Sequence, residues 1–435
     1  MIWLFYNCLF PIVYLLMLPR FLIRMRRRGG YCRGFLQRFG IYEPALLARL
    51  QARRRTWIHA VSVGEIFVAL QFMEAVRTRR PGAAFVLTTN TSTGHAIAEK
   101  QIGPEDLLLY FPIDFPPVMR RILNRLNPLA LVLVESELWP NLVRQSKRRG
   151  IPVMLLNGRL SDRSYPRYRK IRFLTRRLLA LIDLFCVQGE EERRRLIDLG
   201  ADAARIRVMG SAKYDVAAAA PNGLIPAAAL LKRAGFSAQA RLLVGGSTWP
   251  GEETVLLALH QKLRASQPEA RLVLVPRHME RAGAVAAEIE KNGLAFRRWS
   301  AMGYGTAVSQ AAEDVLLVDT TGDLKHFYAA ADVIFVGKSL TSHGGQNIIE
   351  AAVFAKPIIV GPFMENFRAV IADFLTARAV IQIRDPADLE QAVTDLWTHE
   401  EKRRGYGERA RQVVQEKAGA IRASVDLFLA LGDNP

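Results

Sequence analysis

The sequence predicts an α/β protein of two Rossmann-like domains facing a cleft, preceded by an apolar N-terminal helix. Three observations carry that expectation. After residue 55, continuous apolar runs of strand length alternate with amphipathic helical stretches, the pattern of parallel sheets covered on both faces. The alternation occurs as two series, separated by DVAAAAPNGLIPAAALL (215–231), which is low in charge and reads as a hinge. The first 19 residues are apolar except for Asn7. The expected organisation is an anchor over 1–28, a first domain over 29–220 and a second over 221–435. With half of its 435 residues hydrophobic, the chain can bury two such cores.

The N-terminal run MIWLFYNCLFPIVYLLMLP is followed at once by RFLIRMRRRGG. A helix of about 18 residues rises roughly 27 Å, close to the ~30 Å hydrocarbon core of a bilayer. A cleavable signal peptide carries its charge ahead of the apolar run. Here Arg20, Arg24, Arg26, Arg27 and Arg28 all follow it, and the positive-inside rule puts that side in the cytoplasm. The expectation is an inner-membrane anchor with the domains cytoplasmic. Pro11 and Pro19 leave open a kinked helix lying in the interface instead of spanning.

In the first series the strand candidates are 57–62, 84–89, 129–135, 152–157 and 184–188. Ligands in such sheets bind beyond the carboxyl ends of the strands, so the strand-to-helix junctions are the places to search. HAVSVGE (59–65) ends a strand and opens a helix, with Ser62 and Glu65 in capping-box spacing. A cap needs only an acceptor, whereas a general base needs the carboxylate, and both readings of Glu65 stand. VESELWPNLV (134–143) puts Glu135 and Glu137 at a strand end, where an unpaired carboxylate is costly unless it has a task. GSAKYD (210–215) puts Lys213 just before the hinge. The Arg-rich segment 158–170 reads either as a solvated loop or as a phosphate-binding rim.

The second series has strand candidates at 241–246, 271–276, 314–319, 332–337 and 356–361. GKSLTSHGGQNIIEAA (337–352) is its most specific stretch: Gly344 and Gly345 precede a helix expected to start near Gln346, and free amides there would bind an anion. Glu350 would lie about one turn into that helix, within reach of a ribose. VPRHMER (275–281) places Pro276 and Arg277 at another strand end, and VDTTGDL (318–324) places Gly322 and Asp323 at the start of a helix. Three polar junctions on one edge of one sheet favour a nucleotide cradle. Neither G-x-G-x-x-G nor G-x-x-x-x-G-K-[ST] occurs, which disfavours dinucleotide oxidoreductases and P-loop enzymes.

Composition narrows the partners. Sixty Lys and Arg against 41 Asp and Glu give a formal charge of +19, which suits anionic lipid surfaces or phosphorylated substrates. The Arg clusters lack interleaved aromatics for base stacking, so nucleic acid is not expected. The three cysteines form no C-x-x-C pair and the seven histidines no H-E-x-x-H, leaving disulfide and zinc frameworks unsupported.

Taken together, HAVSVGE, TTNTSTG, ESELWPNL, GSAKYD, GSTWPGEE, VPRH, TTGDL, GGQNIIEAA and GPFMENF resemble the family of 3-deoxy-D-manno-octulosonic acid (Kdo) transferases of lipopolysaccharide biosynthesis. The resemblance runs over nearly the whole chain. It implies a GT-B fold and an inverting, metal-independent glycosyltransferase needing no cofactor. The donor implied is CMP-Kdo, and the acceptor is the lipid A precursor, lipid IVA, at the anionic inner membrane. It further implies that Glu65 is the general base and that Glu135 and Lys213 support the transition state. Pro276, Arg277, Gly322, Asp323, Leu324, Asn347, Ile348, Ile349 and Glu350 would bind CMP. Gln346 departs from the His found there in many relatives. Two rivals remain: another membrane-associated GT-B enzyme with a different nucleotide sugar, and a tethered, non-catalytic binder of polyanions.

Overall fold

A computed structural model describes residues 2–28, 34–162, 164–219, 223–302 and 314–432. The chain divides into two compact units, Met1–Val216 with Ala418–Pro435, and Ala217–Lys417.

The first unit is built on a parallel sheet. Its strands are β1 Thr56–His59, β2 Phe85–Thr89, β3 Leu107–Tyr110, β4 Leu131–Val134, β5 Val153–Gly158, β6 Leu184–Val187 and β7 Ile206–Val208. They lie in the order β3-β2-β1-β4-β5-β6-β7. Strands β1, β2, β4 and β6 are buried along their whole length, which explains their unbroken apolar character. Apolar cores cover both faces, one holding Trp57, Leu131 and Phe185, the other Ile58, Phe72 and Val132.

The second unit repeats the plan. Its strands are β8 Arg241–Thr248, β9 Ala270–Pro276, β10 Phe296–Arg298, β11 Val315–Leu317, β12 Val333–Val336, β13 Ile358–Val360 and β14 Ile381–Gln382. Their order is β10-β11-β9-β8-β12-β13-β14, again parallel throughout. In each sheet the strand order reverses beside the unit's first strand, between β1 and β4 and between β8 and β12. Those two switch points are where doubly wound sheets open a crevice for ligands.

Two sequence expectations change. The last helix, Ala420–Gly432, belongs to the first unit and not to the second. Ile421, Val425 and Phe428 fall on one face at i, i+4 and i+7, and they bury beside Phe72 of the helix Val63–Arg79, with the Phe72 and Phe428 rings 5.3 Å apart. Each such side chain contributes about 1.5–3 kcal/mol. The Asp215 carboxylate accepts the amides of Gly419 and Ile421 and fixes the entry of this helix.

The second change concerns the N-terminus. Ile2–Arg28 is helical through Pro11 and Pro19, but its first turns dock on the first unit. Tyr6 donates to Asp114 at 2.9 Å, Asn7 accepts from Asn141 at 2.8 Å, and the Arg144 guanidinium lies over the Trp3 ring. Among the described residues, no helix is long and apolar enough to cross a membrane. Leu9, Ile12, Val13, Leu15, Leu16 and Met17 are exposed along the same helix. The side chains of the basic run from Arg20 to Arg28 lie outside the described residues, as do residues 220–222 of the hinge.

Candidate functional site

At the first switch point, β1 leads into the helix Val63–Arg79 with Ser62 as its N-cap. The Ser62 hydroxyl accepts the Glu65 amide at 3.3 Å, and the Glu65 carboxylate reaches back to the Val61 amide at 2.8 Å. The spacing therefore does form a reciprocal cap, one residue further back than the usual box. Glu65 is only 7% exposed. Burial pushes its carboxyl up to about 7, the Val61 and Ser62 bonds pull it back, and the charges of Glu135 and Glu137 raise it further. A buried carboxyl that titrates near neutrality is suited to take a proton.

Glu135 follows β4, the neighbour of β1 across the switch point. Its backbone is left-handed, with φ of 58°, a conformation disfavoured for a residue carrying a Cβ. Lys213 Nζ lies 3.5 Å from Glu135 Oε1, and Asn157 Nδ2 donates to the same oxygen at 3.3 Å. Asn157 is the penultimate residue of β5, is itself left-handed at φ 55°, and also accepts the Ala212 amide that opens the helix bearing Lys213. One side chain thus ties Glu135 to Lys213. Glu137 accepts from Trp139 Nε1 at 3.0 Å and lies 3.7 Å from Nε2 of the buried His59. The structure therefore brings Glu65, Glu135 and Lys213 to one sheet edge, and adds Asn157, Glu137 and His59. Glu135 and Asn157 are two of the few non-glycine residues with positive φ. For Asn157 the legible signal was an Asn ending an apolar run, since Asn tolerates the left-handed region.

At the second switch point the predicted residues follow β9, β11 and β12, so all sit on the carboxyl edge. Pro276 is buried as the last residue of β9, in register with Thr248, and Arg277 projects beyond it, exposed. Asp323 stands at the N-cap position of the helix Leu324–Ala330 without a side-chain cap bond, with Gly322 at φ 98° ahead of it. Asn347 Nδ2 donates to Glu350 at 3.0 Å while its Oδ1 accepts the Ile349 amide. Ile348 and Ile349 are fully buried, and the Ile349 amide is already held by Asn347, so neither presents a side chain to a ligand. Burial first, then the charge of Glu350, raises the pKa of the buried Tyr328 hydroxyl, and the charge of Arg277 opposes them. That hydroxyl lies against Gly246, where a Cβ would meet it at 2.1 Å.

The expected anion site differs from its sequence reading. The helix begins at Ile349, not near Gln346, and runs one turn, Ile349–Ala352. The Gly344 amide donates to Glu365 at 2.8 Å and the Gly345 amide to the Lys338 carbonyl at 2.8 Å. His343 pairs with Glu365 at 2.6 Å. The glycine amides are therefore occupied within the loop.

Sequence reasoning also missed the group that builds this loop. Glu252 is fully buried at the start of the helix Glu252–Ser266 and accepts four backbone amides: Trp249 at 2.8 Å, Lys338 at 2.7 Å, and Ser339 and Leu340 at 2.9 Å. Ser247, near the end of β8, and Lys338, two residues beyond β12, are left-handed at φ 55° and 54°.

Two Rossmann-like units in succession, one with a carboxylate cluster and the other with a polar cradle at its switch point, define a glycosyltransferase of the GT-B class. Solved structures agree on the fold. The UDP-GlcNAc 2-epimerase of Neisseria meningitidis superposes with a TM-score of 0.61 at 12% identity, over 86% of this chain and all of that one. A glycosyltransferase from Rickettsia africae gives 0.59 at 11%, over 88% and all. Residues 33–216 match the family model described as 3-deoxy-D-manno-octulosonic-acid transferase, and residues 311–413 match glycosyl transferases group 1. The chain is 34% identical to the 3-deoxy-D-manno-octulosonic acid transferase of Bordetella pertussis over 93% of both chains. It is 31% identical to that of Haemophilus influenzae over 92% of this chain and 91% of the relative. The chain belongs to the 3-deoxy-D-manno-octulosonic acid transferase family and is a glycosyltransferase.

Proposed function

We propose that the protein transfers Kdo from CMP-Kdo to a hydroxyl of the lipid A precursor, with inversion at the anomeric carbon. The observation that carries this reading is Glu65: a buried carboxyl titrating near 7 at the first switch point, beside the Glu135–Lys213 pair. Glu65 takes the proton of the acceptor hydroxyl as its oxygen bonds to the anomeric carbon. The bond from that carbon to the phosphate oxygen breaks, and CMP leaves with the electron pair. Positive charge building on the sugar calls for nearby carboxylates, and negative charge building on the leaving phosphate for nearby cations. General-base assistance of this kind is worth roughly 10²–10⁴-fold.

The helix Ile2–Arg28 supports a membrane setting in a particular form. Its docked first turns and exposed apolar side chains support a helix lying in the headgroup region of the inner membrane on the cytoplasmic side, where a lipid acceptor is presented. The test of the function is Kdo transfer from CMP-Kdo to lipid IVA by the wild type and by Glu65→Gln, with a thermal melt on each. We expect transfer by the wild type, and a fall of a hundredfold or more in kcat for a variant that melts normally. Transfer by the wild type only from UDP or GDP sugars would overturn the donor assignment, and near-normal kcat in Glu65→Gln would overturn the base.

A further inference from the structure

We propose that the ammonium of Lys338 is the cation that binds the anionic group of the donor, the part the glycine-rich loop cannot play. The inference rests on the nucleotide-sugar reading above and specifies which group of the second unit meets the charge.

Lys338 is the second residue beyond β12, at the point where the strand order of the second sheet reverses. Its backbone is fixed from two sides. The amide is held by the buried Glu252 at 2.7 Å, and the carbonyl accepts the Gly345 amide at 2.8 Å. The left-handed φ of 54° is disfavoured for a residue with a side chain, and the amide bonds to Glu252 sustain it. Glu252 also holds the Trp249 amide, and Trp249 in turn supplies the surface on which the Lys338 side chain rests: Nζ lies 4.6 Å from the centre of the indole ring. A Cβ built on Gly344 would stand 3.6 Å from Lys338 Cε, so the lysine stem runs along the loop just ahead of Asn347.

A cation held over an indole keeps its charge while shedding part of its water, and it retains N–H donors for an incoming oxyanion. The glycine amides beside it are committed to Glu365 and to Lys338 itself. At the β12 end of this edge the lysine supplies the charge, and Arg277 lies beyond β9. The donor class offers two oxyanions of the right kind, the phosphate of the nucleoside monophosphate and the carboxylate of the sugar acid, and the same ammonium would serve either.

Three ligands separate the two sources on the full-length protein in detergent: cytidine, CMP and CMP-Kdo. Lys338→Met keeps the stem on Trp249 and the same backbone strain while removing the charge; Lys338→Arg keeps the charge. By titration calorimetry we expect Lys338→Met to bind CMP at least tenfold more weakly than wild type and cytidine equally, with Lys338→Arg restoring most of the CMP affinity. If CMP binds unchanged but the KM for CMP-Kdo rises tenfold with kcat little altered, the sugar carboxylate is the partner and the assignment still holds. Wild-type values for Lys338→Met with both CMP and CMP-Kdo would overturn it while leaving the transferase reading intact. A wild type that binds no nucleoside monophosphate at all would overturn both.

Discussion

Glu65 and Glu252 occupy matching places in the two units, and their difference separates the carboxylate we propose as the base from a structural one. Each lies in the first turn of the helix that follows its unit's first strand, each is buried, and burial raises the carboxyl of each. Glu252 accepts four backbone amides with both oxygens. Glu65 accepts one amide through Oε2 and lies in the field of two further carboxylates. A saturated carboxylate holds a loop and has no lone pair to spare, whereas an under-bonded one near neutrality is ready for a proton. The lesson is that first-turn position and burial do not identify a base; the count of bonds does.

The largest effect expected from breaking this comparison is at Glu65. Beyond the hundredfold loss of kcat in Glu65→Gln, the wild-type kcat/KM should fall tenfold per pH unit below about 7, as the base takes up its proton. Stability runs the other way. The folded value, about 7, lies above the unfolded 4.5, so this group's contribution is fully present below 4.5 and lost as pH rises through 7. The melting temperature of Glu65→Gln relative to wild type should therefore climb between pH 5 and pH 8, and a difference independent of pH would contradict the shift. Glu252→Gln should do the opposite: its amide would point donors at amide donors and leave at least two of them unpaired, at about 1–3 kcal/mol each. Urea unfolding should show a loss of about 3 kcal/mol or more, with amides 338–340 exchanging faster; a stability equal to wild type would remove Glu252 from its structural role.

Next in size is the N-terminal helix. Leu15 and Leu16 are 63% and 76% exposed, so replacing both with Ser should leave the melt unchanged. If they enter a bilayer, each gives up about 1.5–3 kcal/mol, and sedimentation with anionic phospholipid vesicles should weaken at least tenfold. Equal sedimentation would move the membrane contact elsewhere on the molecule.

Much of this was legible in the chain. The ten central strands announce themselves as apolar runs because both of their faces are covered. The four that sequence reading missed, β3, β7, β10 and β14, are the sheet edges. β7, β10 and β14 are two or three residues long and interrupted by Arg or Gln. β3, LLLY, is a short apolar run that periodicity alone does not distinguish from a turn of helix. At the sites, Glu65, Glu135 and Lys213 could be read because they punctuate strand ends. Glu252 and Lys338 could not, since their importance lies in a contact 86 positions apart along the chain. The glycine loop misled for the same reason: its amides look free in sequence and are spent in space. The last helix could be read as amphipathic, but nothing along the chain says which core its apolar face will meet.

The smallest effect, and the one that compares the two strained strand ends most directly, is at Asn157. Like Lys338 it is left-handed at the carboxyl end of a strand, but its side chain faces a carboxylate and a helix start instead of an aromatic ring. Asn157→Gly separates backbone from side chain, because glycine adopts this φ freely while abandoning both hydrogen bonds. The relief of strain and the loss of two bonds each amount to about 1 kcal/mol, so the melt should shift by only a few degrees. Glu135, no longer tied to the helix of Lys213, would lose its fixed placement, and kcat should drop about fivefold, on the order of 1 kcal/mol. CMP affinity should stay at the wild-type value, since the nucleotide cradle is built on the other sheet. A kcat equal to wild type would confine Asn157 to backbone geometry, and a fall in CMP affinity with unchanged kcat would assign it to the donor instead of the transition state.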